Sequence, residues 1–367
     1  LQRDALLAHL RGRLAPGNLV WAAAGDIDVD RLASRIEARS PRDAQALAPP
    51  GGLALQPLDG PIEVRESIDK AQAHVAIGFR GVTFEDPRNV TSRIGYDNQP
   101  NFTPDGQMLF TQGEGERTDL WRWTPADGVR HRLTLTMDES EYSATPIPAS
   151  SGGVSYIKVE ADSTQRLWRI EMDGTGERAL LENVAPVGYH AWLDGQTVAL
   201  FVLGNEAEGT PSTLQIAEFP AGPGQASKLS GAPEPQVRTV AENIGRSMQS
   251  IPGRNAVSFT QPREGGAGAG GASADGVGAW TLMEYDLDSG RISRITDLPE
   301  GTQDHAWDPD GGLVTVVGGE FMMWQDGEWV VIADWSRLGQ NFTRLALSPE
   351  GRRVAVVGEP TGAAGGS

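Results

Sequence analysis

The stretch NFTPDGQMLFTQ (residues 101–112) returns in altered form as HAWDPDGGLVTVV (305–317) and LALSPEGRRVAVV (345–357). Each is an apolar run, a Pro-acid-Gly turn and a second apolar run. Proline presets the first turn position and glycine supplies a left-handed one, so the unit reads as strand, tight turn, strand. Weaker copies lie at 144–158, 190–203 and 248–260. With Pro104, Pro148, Asp194, Pro252, Pro309 and Pro349 as anchors, the spacings are 44, 46, 58, 57 and 40 residues. That is the period of a four-stranded propeller blade. The two long intervals hold inserts at 221–235 and 265–278, the second a Gly/Ala-rich low-complexity loop.

Working outward, third strands are predicted at 120–124, 166–171, 213–219, 280–286 and 321–324. Fourth strands follow at 130–136, 177–181, 237–241, 291–296 and 329–333. The sixth repeat has two strands before a Gly/Ala/Ser end. A half-built sheet leaves unpaired edges, so its outer strands are expected from before the first anchor. NVTSRI (89–94) resembles the fourth strand RISRIT and is expected to close the ring. AQAHVAIGF (71–79) alternates and is the candidate third strand, the alternative being that the sheet has none. The expectation is a mainly β chain: a six-bladed propeller over 89–359, a disordered tail at 360–367, and a small N-terminal α/β segment.

The first part has a different grammar. Residues 4–13 place Leu6, Leu7 and Leu10 on one side of a helix, and Pro16-Gly17-Asn18 ends it. Residues 19–24 suit a buried strand, and Asp28 can cap a helix over 29–39. An α/β segment is therefore expected over 1–46, an irregular linker over 47–69, and a strand and loop over 70–88. Charge follows the same division. The chain has 31 Lys+Arg and 49 Asp+Glu, for −18, and residues 1–90 contribute −1 of it. So acidic a chain disfavours nucleic acid and anionic membrane as partners. Zero Cys excludes disulfides, thiolate catalysis and Cys-ligated zinc. No apolar run reaches the roughly 18–20 residues of a membrane span. No signal-peptide pattern is read at the start, so a targeting segment is expected outside these residues.

The repeated turn between apolar strands resembles the TolB-like six-bladed propeller family. YDNQPNFTPDG (96–106), EADSTQRLW (160–168), VGYHAW (187–192) and NIGRSMQSIPG (243–253) are similar to a bacterial secreted subgroup of it. That resemblance implies a rigid interaction platform with no fixed catalytic residues, located in the periplasm or secreted. LAPGNLVWAAAGDIDVD (14–30) and KAQAHVAIGFRGVTFEDP (70–87) resemble the opening of the non-zinc-binding domain of insulinase/pitrilysin peptidases. Such enzymes use His-x-x-Glu-His, which this chain lacks. Its five histidines, His9, His74, His131, His190 and His305, are far apart. The resemblance implies a truncated, catalytically incomplete segment joined to the propeller.

Other motifs carry less. Asp26, Asp28, Asp30 and Glu37 match a calcium loop, but Arg31 stands where the turn needs glycine. Gly266, Gly268 and Gly271 match a dinucleotide fingerprint without its βα context. No Gly-x-Ser-x-Gly elbow or Walker motif occurs. The sequons at Asn89, Asn101 and Asn341 are discounted. The Trp residues on strands are expected to fill the wedge-shaped gaps between blades.

Inner propeller strands line a central channel, and their entry loops ring one mouth. The residues there are Asp97, Asn98, Glu141, Tyr142, Tyr189, His190, Arg246, Gln303, Asp304, His305 and Arg344. Such a ring suits a peptide terminus, a metal or ordered water. The competing expectation is that the groups satisfy one another around channel water. His190 and His305 share His-Ala-Trp and are expected at equivalent places on blades three and five. Together these features suggest a non-catalytic propeller that binds protein or peptide at its mouth, with no cofactor or metal. The alternatives are a non-zinc-binding part of an insulinase-like metallopeptidase system, or a metal-binding propeller enzyme.

Overall fold

Strands form where apolar residues run between Pro-Gly turns, and each turn returns the chain antiparallel to itself. The computed structural model describes residues 74–79, 87–93, 95–148, 153–220, 222–223, 234–263 and 278–360. All belong to a unit spanning 69–367. The expectations for 1–46 and 47–69, the calcium-like and dinucleotide-like motifs and most of the tail lie outside the described residues.

The described chain begins with β1 (His74–Phe79) and β2 (Arg88–Asn89). Five blades of consecutive strands follow. The first is β3 (Asp97–Phe102), β4 (Met108–Glu114), β5 (Arg117–Trp123) and β6 (Arg130–Arg132). The second is β7 (Ser140–Pro146), β8 (Gly153–Val159), β9 (Gln165–Glu171) and β10 (Arg178–Ala179). The third is β11 (Val187–Trp192), β12 (Thr197–Val202), β13 (Thr213–Glu218) and β14 (Gln236–Glu242). The fourth is β15 (Met248–Ser250), β16 (Ala256–Pro262), β17 (Trp280–Asp286) and β18 (Arg291–Asp297). The fifth is β19 (His305–Trp307), β20 (Leu313–Val317), β21 (Glu320–Gln325) and β22 (Glu328–Asp334). The last strands, β23 (Gln340–Leu347) and β24 (Arg353–Pro360), pair with the first two in a composite sheet of order β2-β1-β24-β23. Five blades are thus contiguous in sequence, where the repeat spacing leads to an expectation of six, and a further four-stranded sheet combines strands from both ends of the described chain.

The Pro-Gly turns do what their chemistry requires. Thr103 N–H donates to Gln107 O at 2.9 Å, and Gly106, at φ +79°, donates back to Thr103 O at 2.9 Å. Asp308 and Gly311, and Ser348 and Gly351, repeat the arrangement. At Asp194 the carboxylate substitutes for proline, accepting from the backbone N–H of Gln196 and Thr197 at 2.7 Å each.

Six apolar clusters lie between adjacent sheets. Phe102, Met108 and Phe110 meet Ala355 and Val357. Leu109 and Leu120 meet Ala144, Val154 and Tyr156. Ile157 and Leu167 meet Val198 and Leu200, and Leu214 and Ile216 meet Val257 and Phe259. Trp280 and Leu282 meet Leu313, and Phe321 meets Phe342, Val354 and Val356. The clusters run round the ring, so each sheet is covered on both faces. This is why second strands such as MLFTQGE and GVSYIKV are buried almost throughout, while the outermost β18 (RISRITD) is mostly exposed. Trp123, Trp192, Trp280 and Trp335 are buried in these clusters, as large aromatics filling gaps should be.

Two expectations need correction. Only Asn89 of NVTSRI is in a strand. The Asn89 side chain accepts from Thr91 N at 3.2 Å and Ser92 N at 2.9 Å, and Ser92 adopts φ +45°. This side-chain turn ends β2. The boundary at residue 89 also falls too late. β1 pairs along its whole length with β24, from His74↔Gly358 to Phe79↔Arg353. Residues 74–79 therefore supply the third strand of the composite sheet, and β24 would be an open edge without them.

Candidate binding mouth

The inner strands begin with irregularities. In blades one and two and in the composite sheet the register slips at Gln99, Ser143 and Arg344, non-glycine residues with φ of +54°, +58° and +56°. A bulge of this kind re-aims side chains and leaves an amide unpaired. Side chains take up those amides: Gln99 N donates to Asn98 Oδ1 of its own strand at 2.7 Å, Ser143 N to Gln99 Oε1 of blade one at 2.9 Å, and Arg344 N to Asp304 Oδ2 of blade five at 3.2 Å. Arg246 N, ahead of β15, likewise donates to Gln303 Oε1 at 2.8 Å. Arg246 also grips Asp304 with both guanidinium nitrogens, the Nη2–Oδ2 distance being 3.1 Å. Burial alone would raise Asp304; the adjacent Arg246 guanidinium overrides this and holds the carboxyl down to about 2. Much of the ring thus satisfies itself. Asn98, Arg246, Gln303 and Asp304 form its buried part.

Four groups remain. Arg344, half-buried on the composite sheet, lays its guanidinium 5.1 Å from the ring centroid of Tyr189. Tyr189 is on blade three, three places away round the ring, so the contact spans the mouth. The Tyr96 phenol lies within electrostatic reach of Tyr189, Arg344 and Tyr142, and bonds Asn98. Tyr96 as a residue is 39 % exposed, yet burial of its phenol first and the neighbouring phenols next push its pKa up. The hydroxyls of Tyr142 and Tyr189 make no hydrogen bond, and the Arg344 guanidinium no ion pair, to any described residue. Three of the chain's five tyrosines therefore meet at one mouth. Tyr96 is fastened from below: Arg93 donates to Tyr96 O at 3.2 Å, to Gly113 O at 2.6 Å and to Asp97 at 2.7 Å. A side chain on Gly113 would meet Tyr96 Cβ at 3.0 Å, so glycine there lets the tyrosine seat.

The other four candidates lie in the wall. Asp97 and Glu141 are fully buried at the starts of β3 and β7. Glu141 sits between blades one and two, accepting from Thr136 Oγ1 at 2.8 Å and Thr134 Oγ1 at 3.1 Å. Burial raises its pKa to about 7 against those two hydroxyls, with the Asp119 charge adding to the rise. Burial likewise raises Asp97 to about 6 despite Thr91 and Arg93. His190 and His305 do occupy equivalent places, but between blades. His190 Nε2 is 2.6 Å from Ser155 Oγ, which also receives the Trp192 indole N–H at 2.7 Å. His305 Nε2 is 2.8 Å from Ser258 Oγ, which receives Trp307 at 2.8 Å, and its Nδ1 is 3.0 Å from Ser247 Oγ. The shared His-Ala-Trp is an inter-blade clasp on a serine of the preceding blade. Burial pushes the His190 and His305 imidazoles down to about 3 and about 4, so both are neutral at pH 7.

Residues missed in the sequence are Tyr96, Gln99, Ser143 and the two clasp serines. A signal existed for Tyr96: a tyrosine beside an acid, as in Tyr96-Asp97 and Glu141-Tyr142, precedes two inner strands. The serines had none, because only the packing of blades brings them to the histidines. A mostly apolar cavity of ≈ 30 Å³ lies between blade five and the composite sheet, lined by Phe321, Met323 and Val354. That is room for about one water molecule inside the wall, away from the mouth. Among the described residues no group of three His, Cys, Asp or Glu could hold a metal, and no helix could cross a membrane.

No protein-family model matches the chain, and no curated protein matches it either. Among solved structures, the putative TolB from Agrobacterium tumefaciens is similar over 79% of this chain and 99% of its own, with a TM-score of 0.57 and 14% identity. TolB from Acinetobacter baumannii has a TM-score of 0.48 at 10% identity; the match covers 79% of this chain and spans 65% of that protein's length. An oligogalacturonate lyase in complex with manganese has a TM-score of 0.46 at 13% identity, covering 74% of this chain and 79% of its own. At such identities the likeness speaks for the fold alone. The described residues form a β-propeller whose fold is similar to that of the putative TolB from Agrobacterium tumefaciens.

Proposed function

We propose that the chain is a non-catalytic binding module whose propeller mouth takes a protein or peptide. The observation that carries this is what remains after the channel groups have satisfied one another: three tyrosines and one arginine, drawn from four sheets and concentrated at one opening. Tyrosine and arginine are the residues that most often anchor protein interfaces. A preformed, rigid ring also loses little freedom on binding. The wall positions of His190 and His305, each bonded through Nε2 to a serine, support this reading over a metal-dependent propeller enzyme. The resemblance to a secreted bacterial subgroup supports a periplasmic or secreted location. Of the insulinase-like stretch read over about 1–88, which lacks the zinc motif, residues 74–79 belong to the composite sheet; the rest is proposed as an appended, catalytically incomplete module. The test is capture of envelope proteins from a bacterial extract by the full chain, compared with the Tyr142→Ala/Tyr189→Ala double variant. Equal capture by both would refute binding at the mouth.

A further inference from the structure

The mouth sorts its charged groups unevenly. Arg246 and Asp304 neutralise each other in a buried two-point pair. Arg344 touches the same carboxylate only through its backbone N–H. Its guanidinium is left with an aromatic face on one side, and no described carboxylate lies within ion-pair distance of it. The local sum among these three groups is one positive charge, on a chain that carries −18 overall. A guanidinium stacked on a ring keeps its five N–H donors in a plane, and those donors match the two oxygens of a carboxylate. The phenols of Tyr142 and Tyr189 add two O–H groups with no partner among the described residues. The arrangement therefore offers donors to an anion, and the one carboxylate among these groups, Asp304, is already held by Arg246. Arg344 also holds a left-handed backbone conformation that non-glycine residues seldom adopt. The Asp304 carboxylate stabilises it by accepting from its amide, so the arginine is placed and not merely present.

We propose that the mouth is a carboxylate receptor, in which Arg344, backed by the Tyr189 ring and assisted by the Tyr142 and Tyr189 hydroxyls, takes a carboxylate presented by a bound peptide. This rests on the binding reading above and narrows it to the chemistry of the ligand group. A C-terminal α-carboxylate and an Asp or Glu side chain share that chemistry, and the experiment separates them.

The probe is an array of random hexapeptides in three forms: free C-terminus without Asp or Glu, amidated C-terminus with one Asp or Glu, and amidated without either. The full chain is applied as wild type, Arg344→Gln, Arg344→Lys and Tyr189→Phe, each first shown to melt like wild type. Charge-assisted contacts of this kind are worth roughly a ten- to hundredfold change in affinity. The expected result is binding to one carboxylate-bearing form, weakened by about that factor in Arg344→Gln. Arg344→Lys should lose less, because charge survives without the planar fork. Preference for the first form assigns the α-carboxylate, and preference for the second assigns a side chain. Binding indifferent to the carboxylate and to Arg344, yet lost in Tyr142→Ala/Tyr189→Ala, would overturn the receptor and leave the binding mouth standing. Absence of binding to every form and every variant would overturn both.

Discussion

Glu141 provides the sharpest test of the inter-blade electrostatics. It is fully buried between blades one and two, with two threonine hydroxyls on its oxygens and the Asp119 charge nearby. Its carboxyl titrates near 7 in the folded chain against an ordinary 4.5. A folded value above the unfolded one means that the neutral acid is what the fold prefers. Its contribution is complete below pH 4.5 and is lost as pH rises through 7. At roughly 1.36 kcal/mol per pH unit the loss approaches about 3 kcal/mol above pH 8. Glu141→Gln keeps the shape, and the amide can accept from one threonine while the other hydroxyl turns to receive its N–H. Folding free energies from urea titrations at pH 5, 7 and 9 should show the variant within about 1 kcal/mol of wild type at pH 5. By pH 9 it should be more stable by up to about 3 kcal/mol. Asp97, raised to about 6 by burial, leaves both proteins some residual slope in the same direction. A gap that does not change between pH 5 and pH 9, or a variant less stable at pH 9, would refute the buried neutral carboxyl.

Three further outcomes are expected. His305 is held near 4, below its ordinary 6.5, so its stabilising contribution is present above pH 6.5 and is lost as pH falls through 4. His305→Asn should therefore be less stable than wild type at pH 7, with the gap narrowing by pH 4 in the same titrations; a constant gap would contradict the clasp. Gly319→Ala would bring its Cβ within 2.2 Å of Ser336 N, a backbone atom that cannot swing aside. Thermal unfolding should show a loss of at least about 1–3 kcal/mol, and a neutral substitution would rule out that close approach. A chain starting at residue 69 retains β1, whereas one starting at residue 87 exposes the β24 edge. The shorter chain should melt lower and self-associate in size-exclusion chromatography. Equal behaviour of the two would mean that β1 does not close the ring.

Much of the architecture is local and so is written locally. Pro104-Asp105-Gly106, Pro309-Asp310-Gly311 and Pro349-Glu350-Gly351 set turn geometry within a few residues, and their spacing marks the blades. That the last sheet draws outer strands from before the first blade followed from edge pairing; which residues supply them did not. The exact length of β2 did not, because the Asn89 side chain competes with the strand for the backbone, a contest between two local preferences. The candidate site was legible as a level of the molecule and not as a set of contacts. Alternation along a strand names the residues at its start, but which side of it faces the channel changes at a bulge. Gln99, Ser143 and Arg344 sit at such bulges, and nothing in their neighbours' identities announces a positive φ.

Composition, turn chemistry and period were enough to specify a mainly β propeller fold, because each depends on interactions within one hairpin. Which polar groups spend themselves on one another and which stay available was decided only when the sheets closed into a ring. Arg246 and Asp304, His305 and Ser258, and Arg344 and Tyr189 each come from different sheets, and the last two are 155 positions apart. Partnerships of that range depend on the curvature of the whole assembly, which no single segment encodes.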